Sequence, residues 1–183
     1  MKDTTKNFIL LHLGLLFIST SGVFGRSLDL PVPVSIAWRA ILAVPFLIVL
    51  LMILRTPFKV HKKHMPRLFF SGLFMIAHWL TYFYSLVYSN IPIAMLSIFT
   101  YPIMTVILEP LILKTPFDKN LIISGIVMLI GLYFLTPEFS LENDYTVGVL
   151  FGVSSALVYT FRNLIVKSLI NEYDASVLMT HQV

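Results

Sequence analysis

The sequence predicts an all-α fold, a polytopic transmembrane helix bundle, and three observations predict it. Of 183 residues, 57% are hydrophobic and only 12% are charged, whereas soluble domains carry about 25% charged residues. The mean hydropathy of +0.87 leaves too little polar surface to cover a water-soluble domain. The apolar residues also fall in runs long enough to cross a bilayer, for which about 18 suffice, and the basic residues collect in alternate loops.

The spans follow in order. Phe8 to Gly25 is uncharged and preceded by Lys2 and Lys6. That pattern also suits a signal peptide, but no A-x-A site follows and further apolar spans do, so a retained first helix is expected. Pro33 to Leu54 is apolar except for Arg39. Leu68 to Leu108 holds no Asp, Glu, Lys or Arg over 41 residues. One helix of that length would reach roughly 60 Å, about twice the hydrocarbon core. It must fold back, and Ser89-Asn90-Ile91-Pro92 is the turn, giving spans near 68–89 and 92–113. Asn120 to Thr136 makes a fifth span that Pro137 ends, Thr146 to Val166 a sixth, and Ala175 to Thr180 opens a seventh.

With the N-terminus inside, the inner segments hold 11 of the 13 basic residues, Arg162 and Lys167 among them. The loop with Glu138, Glu142 and Asp144 carries no basic residue and lies outside. The sequence therefore predicts a multi-pass protein of the cell membrane with a cytoplasmic N-terminus. The net charge of +4 is explained by this asymmetry, and no nucleic-acid partner is expected. The cytoplasmic His61-Lys62-Lys63-His64 patch reads as a topology anchor among lipid headgroups. The chain has no cysteine, which excludes disulfides, cysteine-ligated zinc and thiol catalysis.

A weak internal echo lays residues 13–22 over residues 147–156, at a constant offset of 134. Gly14 falls on Gly148, Leu16 on Leu150, Phe17 on Phe151 and Ser21 on Ser155. Comparing span one with span six implies five spans per repeat, and an odd number inverts the second copy, as in many transporters. The expected units are a first repeat at 1–137 and the start of a second at 138–183, so the five-helix inverted-repeat bundle is truncated in its second repeat.

The chain resembles the drug/metabolite transporter superfamily, specifically the EamA-type ten-helix transporters. The resemblance rests on Tyr88 to Leu96, Tyr101-Pro102, Glu109-Pro110-Leu111-Ile112-Leu113-Lys114, and Gly125 and Gly131 before Tyr133, with Arg39 after Trp38. It implies a substrate cavity between two five-helix repeats. Two departures stand out: Thr115 follows Lys114 where the family often has Glu, and the chain stops inside the seventh of ten helices. As a fragment it is expected not to transport alone, and to need a missing second half or a homo-oligomer.

Ionisable groups inside the membrane are the first site candidates. Arg39 either holds an anionic substrate group, pairs with Glu109, or snorkels to the outer interface. Glu109 either carries a coupling proton or is an interfacial carboxylate satisfied by Lys114 or headgroups. His12 and His78 titrate near neutral pH when unperturbed and are otherwise packing residues. His78 is the stronger, because Tyr82, Ser85 and Ser89 share its face and turn it away from lipid. Trp79, Phe83 and Tyr84 are lipid-facing or packing aromatics. Tyr101-Pro102 predicts a kink beside a site or in plain packing. Ser21 completes the substrate-binding set of Arg39, His78, Tyr82 and Tyr101. Gly148 to Gly152 is a G-x-x-x-G match, and Ser154, Ser155 and Ala156 are small, all reading as close helix packing.

No phosphate loop, zinc-protease or nucleophile-elbow motif appears, and no carboxylate cluster suits a metal. The expectation is a secondary transporter of a small metabolite, an exporter or permease, embedded in membrane lipid, with no cofactor and no enzymatic activity. The alternatives are a membrane-embedded enzyme and a non-transporting structural subunit.

Overall fold

In hydrocarbon no water can satisfy the backbone, so each span must close its hydrogen bonds internally as a helix. The computed structural model describes residues 5, 8–17, 20, 30–116, 119–135 and 143–183, and among these there are eight α-helices and no strand. They are α1 Phe8–Phe17, α2 Val32–Leu54, α3 Met65–Tyr88, α4 Ile91–Ile98, α5 Tyr101–Leu113, α6 Lys119–Leu135, α7 Asp144–Leu169 and α8 Ala175–Thr180. A short 3-10 turn, Lys62–His64, precedes α3. α2, α3 with its 3-10 lead-in, α4 continued by α5, and α7 are each long and apolar enough to cross a membrane.

The helix ends follow local chemistry. The expected hairpin lies at Ser89-Asn90: the Ser89 hydroxyl donates to the Ser85 carbonyl at 2.6 Å, and the Asn90 side chain caps α4 by accepting from the Ile93 N–H at 2.9 Å. Asn143 caps α7 in the same way through Tyr145. Asp174 caps α8, and the Ser176 hydroxyl and N–H donating to it hold its carboxyl below the usual range. α2 and α5 stop at Arg55 and Lys114, both in the left-handed conformation of helix C-caps.

The fourth span is the informative one. The kink expected at Pro102 is a full interruption at Phe99-Thr100, with α4 before it and α5 after. Pro102 has no N–H for the Ile98 carbonyl one turn back. The chain tightens there, Thr100 donating from its N–H to Ser97 at 3.3 Å and from its hydroxyl at 2.7 Å. Tyr101 is thereby presented at the start of a new helix.

α7 is central, packing along α3 and against α4 and α5. The core is layered. Ile36, Tyr82, Phe83, Leu86 and Ala94 join α2, α3 and α4, while Ile93, Leu132 and Val149 join α4, α6 and α7. At the other end Leu68, Leu169 and Leu178 join α3, α7 and α8. Phe46, Phe69, Leu111 and Phe134 are exposed, as suits a lipid-facing surface.

The G-x-x-x-G match on α7 is a close-packing device. A Cβ on Gly152 would stand 2.3 Å from Ser97 Cβ, and one on Gly148 would stand 2.5 Å from Ser89 Cβ. Ser155 and Ala156 are buried on the same helix, whereas Ser154 is exposed.

Candidate functional site

The polar face of α3 turns inward as its spacing requires: His78, Tyr82, Ser85 and Ser89 are all buried. Its partner is a second polar stripe on α7, made of Ser155, Tyr159 and Arg162 at i, i+4 and i+7, positions that share a helix face. His78 Nδ1 lies 2.9 Å from Ser155 Oγ and 3.3 Å from the Ser155 carbonyl oxygen. Ser155 Oγ donates to the His78 carbonyl at 2.9 Å. The carbonyls can only accept, so the set is satisfied together when Nδ1 carries the ring proton, an assignment made from the network. Nε2 is then an acceptor and makes no hydrogen bond among the described residues.

Aromatic rings extend the layer. The Tyr159 ring stacks on His78 with centroids 4.4 Å apart, and Tyr82 lies on His78 at 6.4 Å, nearly parallel. Tyr101 meets Tyr159 edge-on at 5.2 Å. The Tyr101 carbonyl accepts from Thr105 and, across the helix interface, from Thr160 at 3.3 Å. Tyr159 is the hub that brings His78 and Tyr101 together.

A cavity of about 300 Å³ lies between α3, α5 and α7, lined by Phe74, Phe161, Leu164, Ile112 and, at one end, Arg67 and Ser168. Phe74 is one helical turn from His78 and stacks on Phe161 at 5.7 Å. None of His78, Tyr82, Tyr101 and Tyr159 lines this cavity, and its size is at the lower bound of small-molecule sites, roughly 300–1,000 Å³.

The other candidates are placed as follows. Arg39 does not pair with Glu109. Its guanidinium lies over the Phe83 ring, 5.1 Å from the centroid, a cation–π contact beside the Tyr82 layer. Phe83 is thus a packing aromatic, and Tyr84, 5.5 Å from Phe151, is another. Glu109 is bound by Lys167 at 2.6 Å, with Thr115 donating at 3.3 Å, so its partner is on α7 and is not Lys114. Eight residues separate Glu109 from Tyr101, roughly 12 Å along α5, which sets this pair apart from the histidine layer. His12 is exposed, its Nδ1 on the Phe8 carbonyl of its own helix at 2.8 Å, and stands outside the cluster. Ser21 lies outside the described residues. Before α3, His64 is buried against the Tyr173 hydroxyl at 2.9 Å, which ties the basic patch to the turn before α8.

Arg162 is where the sequence reading and the structure differ most. Counted with the inner-loop cations, it lies inside α7, seven residues or roughly 10 Å before the helix end. Its guanidinium is half-buried between α7 and the segment after α8: Nε donates to Gln182 Oε1 at 2.9 Å, and one Nη donates to Asn163 Oδ1 at 3.0 Å.

The Ser155–His78 contact is also what a nucleophile and its base would show. Ser155, however, is fully buried and its proton is committed to a carbonyl. No carboxylate orients the imidazole among the described residues, so the pair reads as a structural clamp that holds the ring.

A model of the EamA-like transporter family matches residues 5–136 of the chain. No curated protein and no solved structure matches it.

Proposed function

The chain belongs to the EamA-like transporter family, and from that premise we propose that it is a secondary transporter whose substrate occupies the layer formed by His78, Tyr82, Tyr101 and Tyr159. Membership makes it a membrane transporter of small molecules. The carrying observation for the site is the His78 ring: buried, fixed at Nδ1 by Ser155, stacked on Tyr159, and with no hydrogen bond at Nε2 among the described residues. Most intramembrane polar groups are tied up by neighbours, because hydrocarbon offers no alternative. An imidazole that is rigidly held at one nitrogen, with no described partner at the other, suits a solute that arrives and leaves.

In this reading residues 1–137 form the first five-helix repeat and residues from 138 onward open the second. The interrupted fourth span supplies the hinge at Phe99-Thr100, and the rocking of one repeat against the other exposes the layer alternately. With no phosphate loop in the sequence, the driving force is a solute or ion gradient. Counterflow in proteoliposomes preloaded with mixed metabolites, using a ten-helix protein that carries this segment, tests the reading: exchange of a labelled solute supports it, and such a protein inert to every loaded solute overturns it.

Orientation has its own test. The loop charges support a cytoplasmic N-terminus at the cell membrane. Cysteine at Asn143 is expected to react with an impermeant thiol reagent in intact cells, and cysteine at Lys62 only after lysis. The reverse labelling would invert the topology.

A further inference from the structure

A guanidinium inside a membrane span calls for a counter-charge, since taking an unpaired ion even partly out of water is unfavourable. Arg162 has none among the described residues. Its acceptors are Gln182 Oε1, Asn163 Oδ1 and Met179 Sδ, all neutral. The described carboxylates nearby are engaged elsewhere, Glu109 with Lys167, Glu172 with His64 and Asp174 with Ser176. Snorkelling does not relieve it either, because the guanidinium is held at the α7–α8 contact.

Gln182 shows what is missing. Only 4% of it is exposed. Its Oε1 accepts from both Nε and an Nη of Arg162, the edge of the guanidinium that a carboxylate grips with two oxygens. Its Nε2 is buried with no hydrogen-bond partner. Reversing the amide would set N–H against N–H, so the orientation is forced. The amide therefore offers one oxygen where a carboxylate would offer two and a charge, and leaves a donor orphaned.

We infer that Arg162 and Gln182 form an oxyanion subsite, and that the transported solute carries a carboxylate which takes the place of Gln182 Oε1 on the Arg162 fork. This rests on the transporter reading above. Arg162 lies one turn beyond Tyr159 on the same face of α7, so a carboxylate there sets the rest of the solute against the Tyr159, His78 and Tyr101 rings. An aromatic carboxylate is the class that fits both ends.

The test uses benzoate, benzamide and benzylamine as probes, with thermal stability of the purified chain in detergent as the readout. Benzoate is expected to stabilise the protein, and the two uncharged or cationic analogues are not. Arg162→Gln is expected to raise the half-saturating benzoate concentration at least about tenfold, as loss of one partner of a buried charged pair does. Arg162→Lys should recover part of the response. Gln182→Glu is the second variant. It supplies the carboxylate internally, so it should stabilise the ligand-free protein and abolish the benzoate response. If Arg162 only staples α8 to α7, Gln182→Glu would stabilise the protein with the benzoate response intact, and that result overturns the inference. Stabilisation by benzamide equal to that by benzoate, or no response to benzoate, also overturns it. A ten-helix protein carrying this segment that binds benzoate through Arg162 yet exchanges no solute keeps the subsite and removes the transporter reading. One that exchanges only neutral or cationic solutes does the opposite.

Discussion

In a ten-helix protein carrying this segment, His78→Leu is expected to lower solute exchange by roughly ten- to a hundredfold, the equivalent of one lost hydrogen bond to substrate worth about 1–3 kcal/mol, while the protein still inserts and purifies as a single species. The separation of effects follows from the Ser155 network. Ser155 Oγ donates to the backbone carbonyl of residue 78, a group that any side chain leaves in place. Leucine is close to histidine in volume and keeps the apolar contact with Tyr159. The substitution therefore removes Nε2 and the Nδ1 donor but orphans little. His78→Gln restores a polar head near the same place and should recover part of the loss. Exchange in proteoliposomes, normalised to inserted protein, is the measurement, with elution from size exclusion as the control on folding. Wild-type exchange by His78→Leu would make the imidazole a packing group.

How legible these features were in the sequence differs with the kind of signal. Four of the expected spans were readable because each presents a long, nearly uncharged run, and the hairpin at Ser89-Asn90 because a 41-residue uncharged run cannot cross once. The buried face of α3 was readable because His78, Tyr82, Ser85 and Ser89 recur at helical spacing in an otherwise apolar segment. The same signal marks Ser155, Tyr159 and Arg162 on α7, yet there it competes with two blander patterns. Ser155 sits among small residues that suit packing, and Arg162 near a span end looks like a loop cation. What the sequence could not supply is the partner across the interface. Glu109 finds Lys167 rather than Arg39 or Lys114 because α5 and α7 run side by side, a tertiary fact that spacing along one helix does not encode.

The internal echo shows how a correct pattern can carry two meanings. It lays Ser21 over Ser155, and Ser155 is the residue that clamps His78. Ser21 entered the candidate set and Ser155 was read as packing. The structure gives Ser155 both roles, since its hydroxyl fixes the imidazole and its small size lets α3 approach.

Close approach sets the last expectation, which is the largest effect on stability. Gly152→Leu is expected to destabilise the bundle by about 3 kcal/mol or more, the upper range for overpacking a close contact. The first added carbon alone would lie 2.3 Å from Ser97 Cβ and 3.0 Å from Ser85 Oγ. Ser97 Cβ is fixed to the backbone of α4, so relief requires α4 and α7 to separate. That separation would break the contacts of Ile93 with Val149 and Leu132 and reach the Phe99-Thr100 break. Gly14 is the control. It carries the helix glycine of the first-span segment that the echo aligns with α7, and a Cβ there meets nothing within 4 Å. Gly14→Leu should therefore leave the melting temperature unchanged among the described contacts, and in a bilayer its added apolar surface is harmless. Thermal melting of the two variants beside wild type in the same detergent decides the matter. Equal melting temperatures for Gly152→Leu and wild type would mean that α4 and α7 are not in the tight contact on which the α3–α5–α7 layer depends.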